Sequence, residues 1–70
     1  MKGEIVLKIK LRRISKGLTQ KELANKVGIS HVTLSKFENG SYENITLRTM
    51  LKLAAALDTT VHELFFSDEE

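Results

Sequence analysis

Between residues 19 and 40 the chain carries two helix-start signals separated by one helix-stop signal, and these constrain its fold more tightly than any other feature. The stretch reads Thr-Gln-Lys-Glu-Leu-Ala-Asn-Lys-Val-Gly-Ile-Ser-His-Val-Thr-Leu-Ser-Lys-Phe-Glu-Asn-Gly. The hydroxyl of Thr19 can accept the backbone N–H three residues on, and Glu22 sits where its carboxylate can return the favour, the arrangement of a capping box. Leu23, Ala24 and Val27 then form an apolar stripe at helical spacing. Gly28 stops that helix, because a residue without Cβ enters the left-handed region at little cost. Ser30 can cap a second helix, which turns Leu34 and Phe37 inward and His31, Val32, Thr33, Ser35 and Lys36 outward. The reading is therefore a helix over 20–27, a tight turn, and a helix over 31–38.

The flanks extend the same pattern. A first helix is expected over 4–16, with Ile5, Ile9, Val6 and Leu11 facing inward and Gly17 closing its end. Residues 39–44 are rich in turn formers. Thr46 can cap a fourth helix over 47–57, where Leu47, Met50, Leu51, Ala54 and Leu57 recur at helical spacing. Asp58-Thr59 breaks it, and Thr60-Val61-His62-Glu63 is a second capping-box pattern opening a short fifth helix to 66. Ser67-Asp68-Glu69-Glu70 reads as a frayed acidic tail. With no proline, no repeat and no strand pattern, the chain is expected to be a single all-α domain over 1–70.

Composition narrows the function. Seventy residues make one small core that gains from a partner subunit, and without cysteine neither a disulfide nor a thiolate metal site can staple it. The two histidines, 31 positions apart, have no metal-ligand spacing, so no metal and no cofactor are expected. The apolar runs are too short to span a bilayer and no secretory pattern opens the chain, so no membrane partner and a cytoplasmic location are expected. No nucleophile–base pair or phosphate loop can be assembled, which argues against an enzyme. Glu22, Glu38 and Glu63 are better explained as caps or ion-pair partners. The net charge of +2 hides an asymmetry: residues 1–40 hold nine Lys/Arg against three Glu, and residues 41–70 two against six acids. The half with the two linked helices is thus the basic half, as contact with phosphates requires.

A helix, a glycine turn and a second helix with a polar, cationic outer face make a helix-turn-helix suited to a DNA major groove. The particular residues go further. Thr19-Gln20-Lys21-Glu22-Leu23-Ala24, Val27-Gly28-Ile29-Ser30 and Phe37-Glu38-Asn39-Gly40 closely resemble the Cro/phage-repressor type of helix-turn-helix, the XRE family. The similarity continues through Arg13-Ile14-Ser15-Lys16-Gly17-Leu18 before it and Leu51-Lys52-Leu53-Ala54-Ala55-Ala56-Leu57 after it, so it covers about the whole chain. The resemblance implies a compact five-helix, lambda-repressor-like DNA-binding domain that acts as a homodimer on a two-fold operator. Among short members, restriction–modification controller proteins and phage-type repressors are similar, and Asn44-Ile45-Thr46-Leu47 and Leu57-Asp58 lean toward the controllers. One departure stands out: the loop after Gly40 is a residue longer than the usual family pattern and has Ile45 in place of proline.

Contacts with double-stranded DNA divide into holding phosphates, reading bases and supporting the reading helix. Gln20, in the first turn of the second helix, can donate to a phosphate where backbone N–H groups and the helix dipole also point, and the resemblance implies this anchoring role. Ser30 and Thr33 can donate from the start of the third helix. Asn39, Tyr42 and Asn44 follow it in a loop that would pass over the sugar-phosphate strand. His31, Val32, Ser35 and Lys36 are the base-reading candidates: a histidine can donate to or accept from a purine edge, Val32 can pack on a thymine methyl, and Lys36 suits guanine O6/N7. Arg13 and Glu38 are expected to pair structurally and hold the reading helix in place.

A dimer face is expected at the fifth helix, drawn from Val61, Leu64, Phe65 and Phe66: all four cannot face one small core, so at least one is left outside and, together with Leu53, forms an apolar patch. The leading expectation is a small dimeric transcriptional regulator on a pseudo-palindromic operator, with no small-molecule effector because no residues remain to build a sensing domain. A protein-interaction module, such as the antitoxin of a toxin–antitoxin pair, is the alternative.

Overall fold

The computed structural model describes residues 7–66. Five helices follow one another: α1 over Leu7–Ser15, α2 over Gln20–Val27, α3 over His31–Glu38, α4 over Leu47–Ala56, and α5, a short π-helical segment over His62–Phe66. Among the described residues there is no strand. Ile5, Val6 and the acidic tail of the sequence reading lie outside the described residues.

Each start signal does what its chemistry dictates. Glu22 N–H donates to Thr19 Oγ1 at 3.0 Å and Thr19 N–H donates to Glu22 Oε1 at 2.8 Å, completing the capping box. Ser30 Oγ accepts from Thr33 N–H at 3.1 Å, and Thr46 Oγ1 accepts from Thr49 N–H at 3.1 Å. At α5 Thr60 Oγ1 accepts from Glu63 N–H at 3.0 Å.

The helix ends share one device. At Gly28 (φ 84°, ψ 32°) the chain turns left-handed, and Gly28 and Ile29 N–H both donate to Ala24 carbonyl oxygen at 2.8 and 3.0 Å. Ile29 then packs against the core. α4 ends the same way with a different residue: Asp58 has φ 56°, and Thr59 N–H donates to Ala54 carbonyl oxygen at 2.9 Å. The Asp58 carboxylate pairs with the Lys16 ammonium, just past the end of α1. The pairing holds the Asp58 carboxyl below the usual carboxylate range.

The core is one cluster of Ile9, Leu23, Ala24, Val27, Leu34, Phe37, Leu53, Ala54, Leu57 and Leu64, drawn from all five helices or their ends. Several sequence expectations give way here. Leu11 is exposed, because Ile9 and Arg13, one turn apart, occupy the inward face and Leu11 lies roughly 200° around the helix from Ile9. Leu47 and Leu51 are exposed as well, since Leu53, Ala54 and Leu57 take the buried face of α4. Leu53 is 0% exposed and Leu64 is wholly buried, so neither presents surface to a second subunit as expected. Of the α5 side chains, Leu64 anchors the segment, Val61 and Phe65 pack partly against the core, and Phe66 is 63% exposed.

Candidate nucleic-acid interface

α3 separates its residues cleanly by face. Leu34, Phe37 and Glu38 are buried, while His31, Val32 and Lys36 are exposed, Val32 to 57%. Val32 and Lys36 are one helical turn apart and share the outer face, and Ser35, half-buried, borders it. His31 stands at the open first turn. The bases of a groove would meet this surface.

The opposite end of α3 is held from two sides. Glu38 is only 4% exposed, and its carboxylate accepts from Arg13 Nε at 2.7 Å and Arg13 Nη2 at 3.3 Å. Arg13 Nη1 donates to the Leu18 carbonyl oxygen at 2.9 Å. The expected pair therefore exists, and it ties α1 and the turn after it to the last turn of α3. Gln20 joins the same group: its Nε2 donates to Glu38 Oε1 at 3.0 Å. Sequence reasoning missed this bond, because nothing in the spacing of residues 20 and 38 shows that α2 begins where α3 ends. One amide hydrogen of Gln20 is thus committed to Glu38. Among the described residues no buried side-chain nitrogen or oxygen lacks a hydrogen-bond partner.

Ser30 and Thr33 are linked to each other, Ser30 Oγ donating to Thr33 Oγ1 at 3.0 Å, so the cap and the half-buried Thr33 hydroxyl form one local unit. Asn39 closes α3, with its N–H shared between the Ser35 and Lys36 carbonyl oxygens at 3.1 Å each. Ser41 N–H then donates to Lys36 carbonyl oxygen at 2.9 Å through a left-handed Gly40 (φ 91°). Asn39 and Asn44 are exposed, as a phosphate contact needs. Tyr42 does not stand free over the strand as expected. Its ring is half-buried, 6.3 Å from Phe37 and 5.3 Å from Phe65 between centroids, and burial pushes its phenol above the usual value. Ile45, in the place of the family proline, packs against the core. Arg12 is exposed beside Ser15, Lys16, Leu57 and Asp58.

The profile of a helix-turn-helix family matches residues 9–64, which takes in the capped pair, its glycine turn and the bracing residues. The chain belongs to that family, in its XRE branch. The antitoxin HipB of Escherichia coli K12 is 43% identical over 53 residues, covering 76% of this chain and 59% of HipB. An uncharacterised HTH-type transcriptional regulator of Archaeoglobus fulgidus is 40% identical over 58 residues, 83% of this chain and 81% of the relative. Among solved structures, the restriction–modification controller protein C.AhdI of Aeromonas hydrophila superposes with a TM-score of 0.77 at 35% identity, covering 90% of this chain and 94% of that one. SinR in complex with DNA gives 0.75 at 37% identity, covering 86% and 95%. The fold is thus the DNA-binding helix-turn-helix fold of transcriptional regulators, as the sequence implied. This chain spans little more than half the length of HipB. No helix among the described residues is long and apolar enough to cross a membrane.

Proposed function

We propose that the protein is a sequence-specific transcriptional regulator that lays α3 into the major groove of a pseudo-palindromic operator as a homodimer. The observation that carries this reading is the division of α3: a bare first turn and outer face with His31, Val32 and Lys36, on a helix whose far end is clamped by Arg13, Glu38 and Gln20. A groove-reading element needs both a free reading surface and a fixed register. Lys36 donates to guanine, Val32 meets a thymine methyl, and His31 takes the edge of a purine. Gln20, Thr33, Asn39 and Asn44 hold the phosphates on either side, setting the register, while Ser30 gives its hydroxyl hydrogen to Thr33. The net positive charge of residues 1–40 supports the encounter with DNA.

Two-fold symmetry would bring two copies of α3 about 34 Å apart, one turn of DNA. The surface for pairing is Phe66 of α5, with the partly buried Val61 and Phe65 of the same segment; Leu47 and Leu51 are exposed apolar residues of α4. Selection of bound duplexes from a random library tests the whole reading. An inverted repeat with half-sites one turn apart is expected, and Lys36→Ala should relax the preference at a single position at a cost of about 1–3 kcal/mol. Weak binding with no enriched sequence, vanishing as salt rises, would overturn it.

The likeness to HipB favours a second reading, an antitoxin that binds a partner protein as well as DNA. In that case the exposed Leu47, Leu51 and Phe66 would be covered by a different chain, and the purified protein alone would stay monomeric at concentrations where the operator is already bound.

A further inference from the structure

The loop between α3 and α4 is fixed at three points. Ser41 N–H closes the end of α3 on Lys36 carbonyl oxygen, Ile45 N–H donates to Tyr42 carbonyl oxygen at 3.1 Å, and Ile45 and Tyr42 both pack against the core. Tyr42 and Ile45 are therefore the two feet of a tight turn, and Glu43 and Asn44 are its exposed tip. The tip holds one residue that a phosphate attracts and one that it repels: the Asn44 amide can donate, whereas the Glu43 carboxylate is driven away from a polyanion. Which of them meets the strand depends on how the turn is rotated, and so on how its feet are seated.

Ile45 has the core as its seat. Tyr42 has two rings: Phe37 of α3 at 6.3 Å and an interplanar angle of 50°, and Phe65 of α5 at 5.3 Å and 76°, an edge-to-face arrangement. Phe65 is joined directly to Phe66, the exposed aromatic of α5. One foot of the phosphate-facing turn thus stands on the helical segment that carries the outward apolar surface.

Resting on the DNA-binding reading above, we infer that Tyr42 is a positioning residue: its ring, wedged between Phe37 and Phe65, orients the 42–45 turn so that Asn44 rather than Glu43 faces the sugar-phosphate strand. The ring does this and the hydroxyl does not. α5 consequently influences DNA affinity through the Tyr42 ring even where no second copy is bound, and cover placed on Phe66 acts one residue from the seat of that ring.

The test is binding to a single half-site duplex, which needs no second copy, measured over a range of salt concentrations for four forms of the whole chain: unaltered, Tyr42→Phe, Tyr42→Leu and Phe65→Leu. Tyr42→Phe keeps the ring and should bind within about twofold of the unaltered protein. Tyr42→Leu and Phe65→Leu should each bind about tenfold more weakly, the loss expected for one hydrogen bond to a charged group. With the Glu43 carboxylate turned toward the strand and offsetting positive charge there, their plots of log affinity against log salt should be shallower than that of the unaltered protein, while the preferred base sequence stays the same. A merely structural role would lower the melting temperature but leave the salt slope and, at a temperature where every form is folded, the affinity unchanged. Tyr42→Phe binding as weakly as Tyr42→Leu would overturn the inference in favour of a direct hydroxyl contact, and Phe65→Leu binding like the unaltered protein would overturn it outright. Should Tyr42→Leu fail to fold, the Tyr42→Phe and Phe65→Leu results decide the matter. An unaltered protein that binds no duplex above background would sink the DNA reading itself, a separate outcome.

Discussion

The segment from α1 to α3 and the segment from α4 to α5 are built from the same devices and finish them differently. In the first, the left-handed turns that end the helices fall on glycine, the capping box at Thr19 is complete on both sides, and Glu38 with its two partners closes a buried polar group without a loose end. In the second, the left-handed turn falls on Asp58. Exposed apolar side chains occur in both: Leu11, Ile14 and Val32 in the first, Leu47, Leu51 and Phe66 in the second. The first segment is basic and the second acidic. A surface that meets a polyanion gains from positive charge and a fixed shape, and the first segment has both. The contrast lies in charge and in how the helix ends and buried polar groups are closed, not in exposed apolar area.

The most severe way to break the first segment is Glu38→Ala, which leaves the Arg13 guanidinium buried without its carboxylate. Urea unfolding should show a loss of about 3–5 kcal/mol. Arg13→Met combined with Glu38→Leu should restore much of it, and a Glu38→Ala loss below about 1 kcal/mol would mean that the clamp does not hold α3. Next comes the chain reversal itself. A Cβ on Gly28 meets nothing within 4 Å, so Gly28→Ala is penalised by backbone geometry alone, roughly 1–2 kcal/mol. Asp58→Ala should cost less than Gly28→Ala in the same assay, because the residue at 58 already bears a Cβ in the left-handed region; the reverse order would erase this part of the contrast.

Smaller still is the expected effect of Phe66→Ser on folding, no more than about 0.5 kcal/mol in chemical unfolding of the monomer. The same variant should weaken self-association seen by sedimentation, and an unchanged oligomeric state would remove Phe66 from the dimer face. The least effect belongs to Lys16→Met. Because Lys16 lowers the Asp58 carboxyl, the pair contributes stability above the ordinary carboxylate range, and that contribution is lost as pH falls through the lowered value. Melting temperatures of the two forms should therefore differ most near neutrality and converge in acid; a gap that persists at low pH would contradict the pairing.

Local chemistry was legible where a few neighbouring residues decide the outcome. Thr19 with Glu22, Ser30 and Gly28 act within one turn of themselves, so the bounds of α2 and α3 follow from the sequence. The Arg13–Glu38 pair was readable through the family resemblance, which supplies the packing of α1 beside α3 that spacing alone does not. The limits lay where a periodic stripe has two faces to choose from. Leu47, Met50, Leu51, Ala54 and Leu57 fit helical spacing, but so does the row of Leu53, Ala54 and Leu57, and only the neighbouring helices determine which one is buried. Leu53 reads as outward for the same reason, and Leu64 because α5 offers more apolar side chains than one small core is expected to hold, yet both are buried. Tyr42 misled because a tyrosine amid Ser, Glu and Asn reads as a surface residue, and its aromatic seat on Phe65 joins positions 23 apart in the chain.

The clamp at Glu38 also bears on how such a protein changes its target over evolutionary time. Stability at α3 is vested in its last turn and its inward residues, while the side chains of His31, Val32 and Lys36 are exposed and take no part in the clamp. Substitutions at those three positions are expected to shift folding stability little, within about 0.5 kcal/mol for exposed sites. If those side chains read bases as proposed, exchanging them would change the preferred operator on an unaltered frame, with no compensating change in the core.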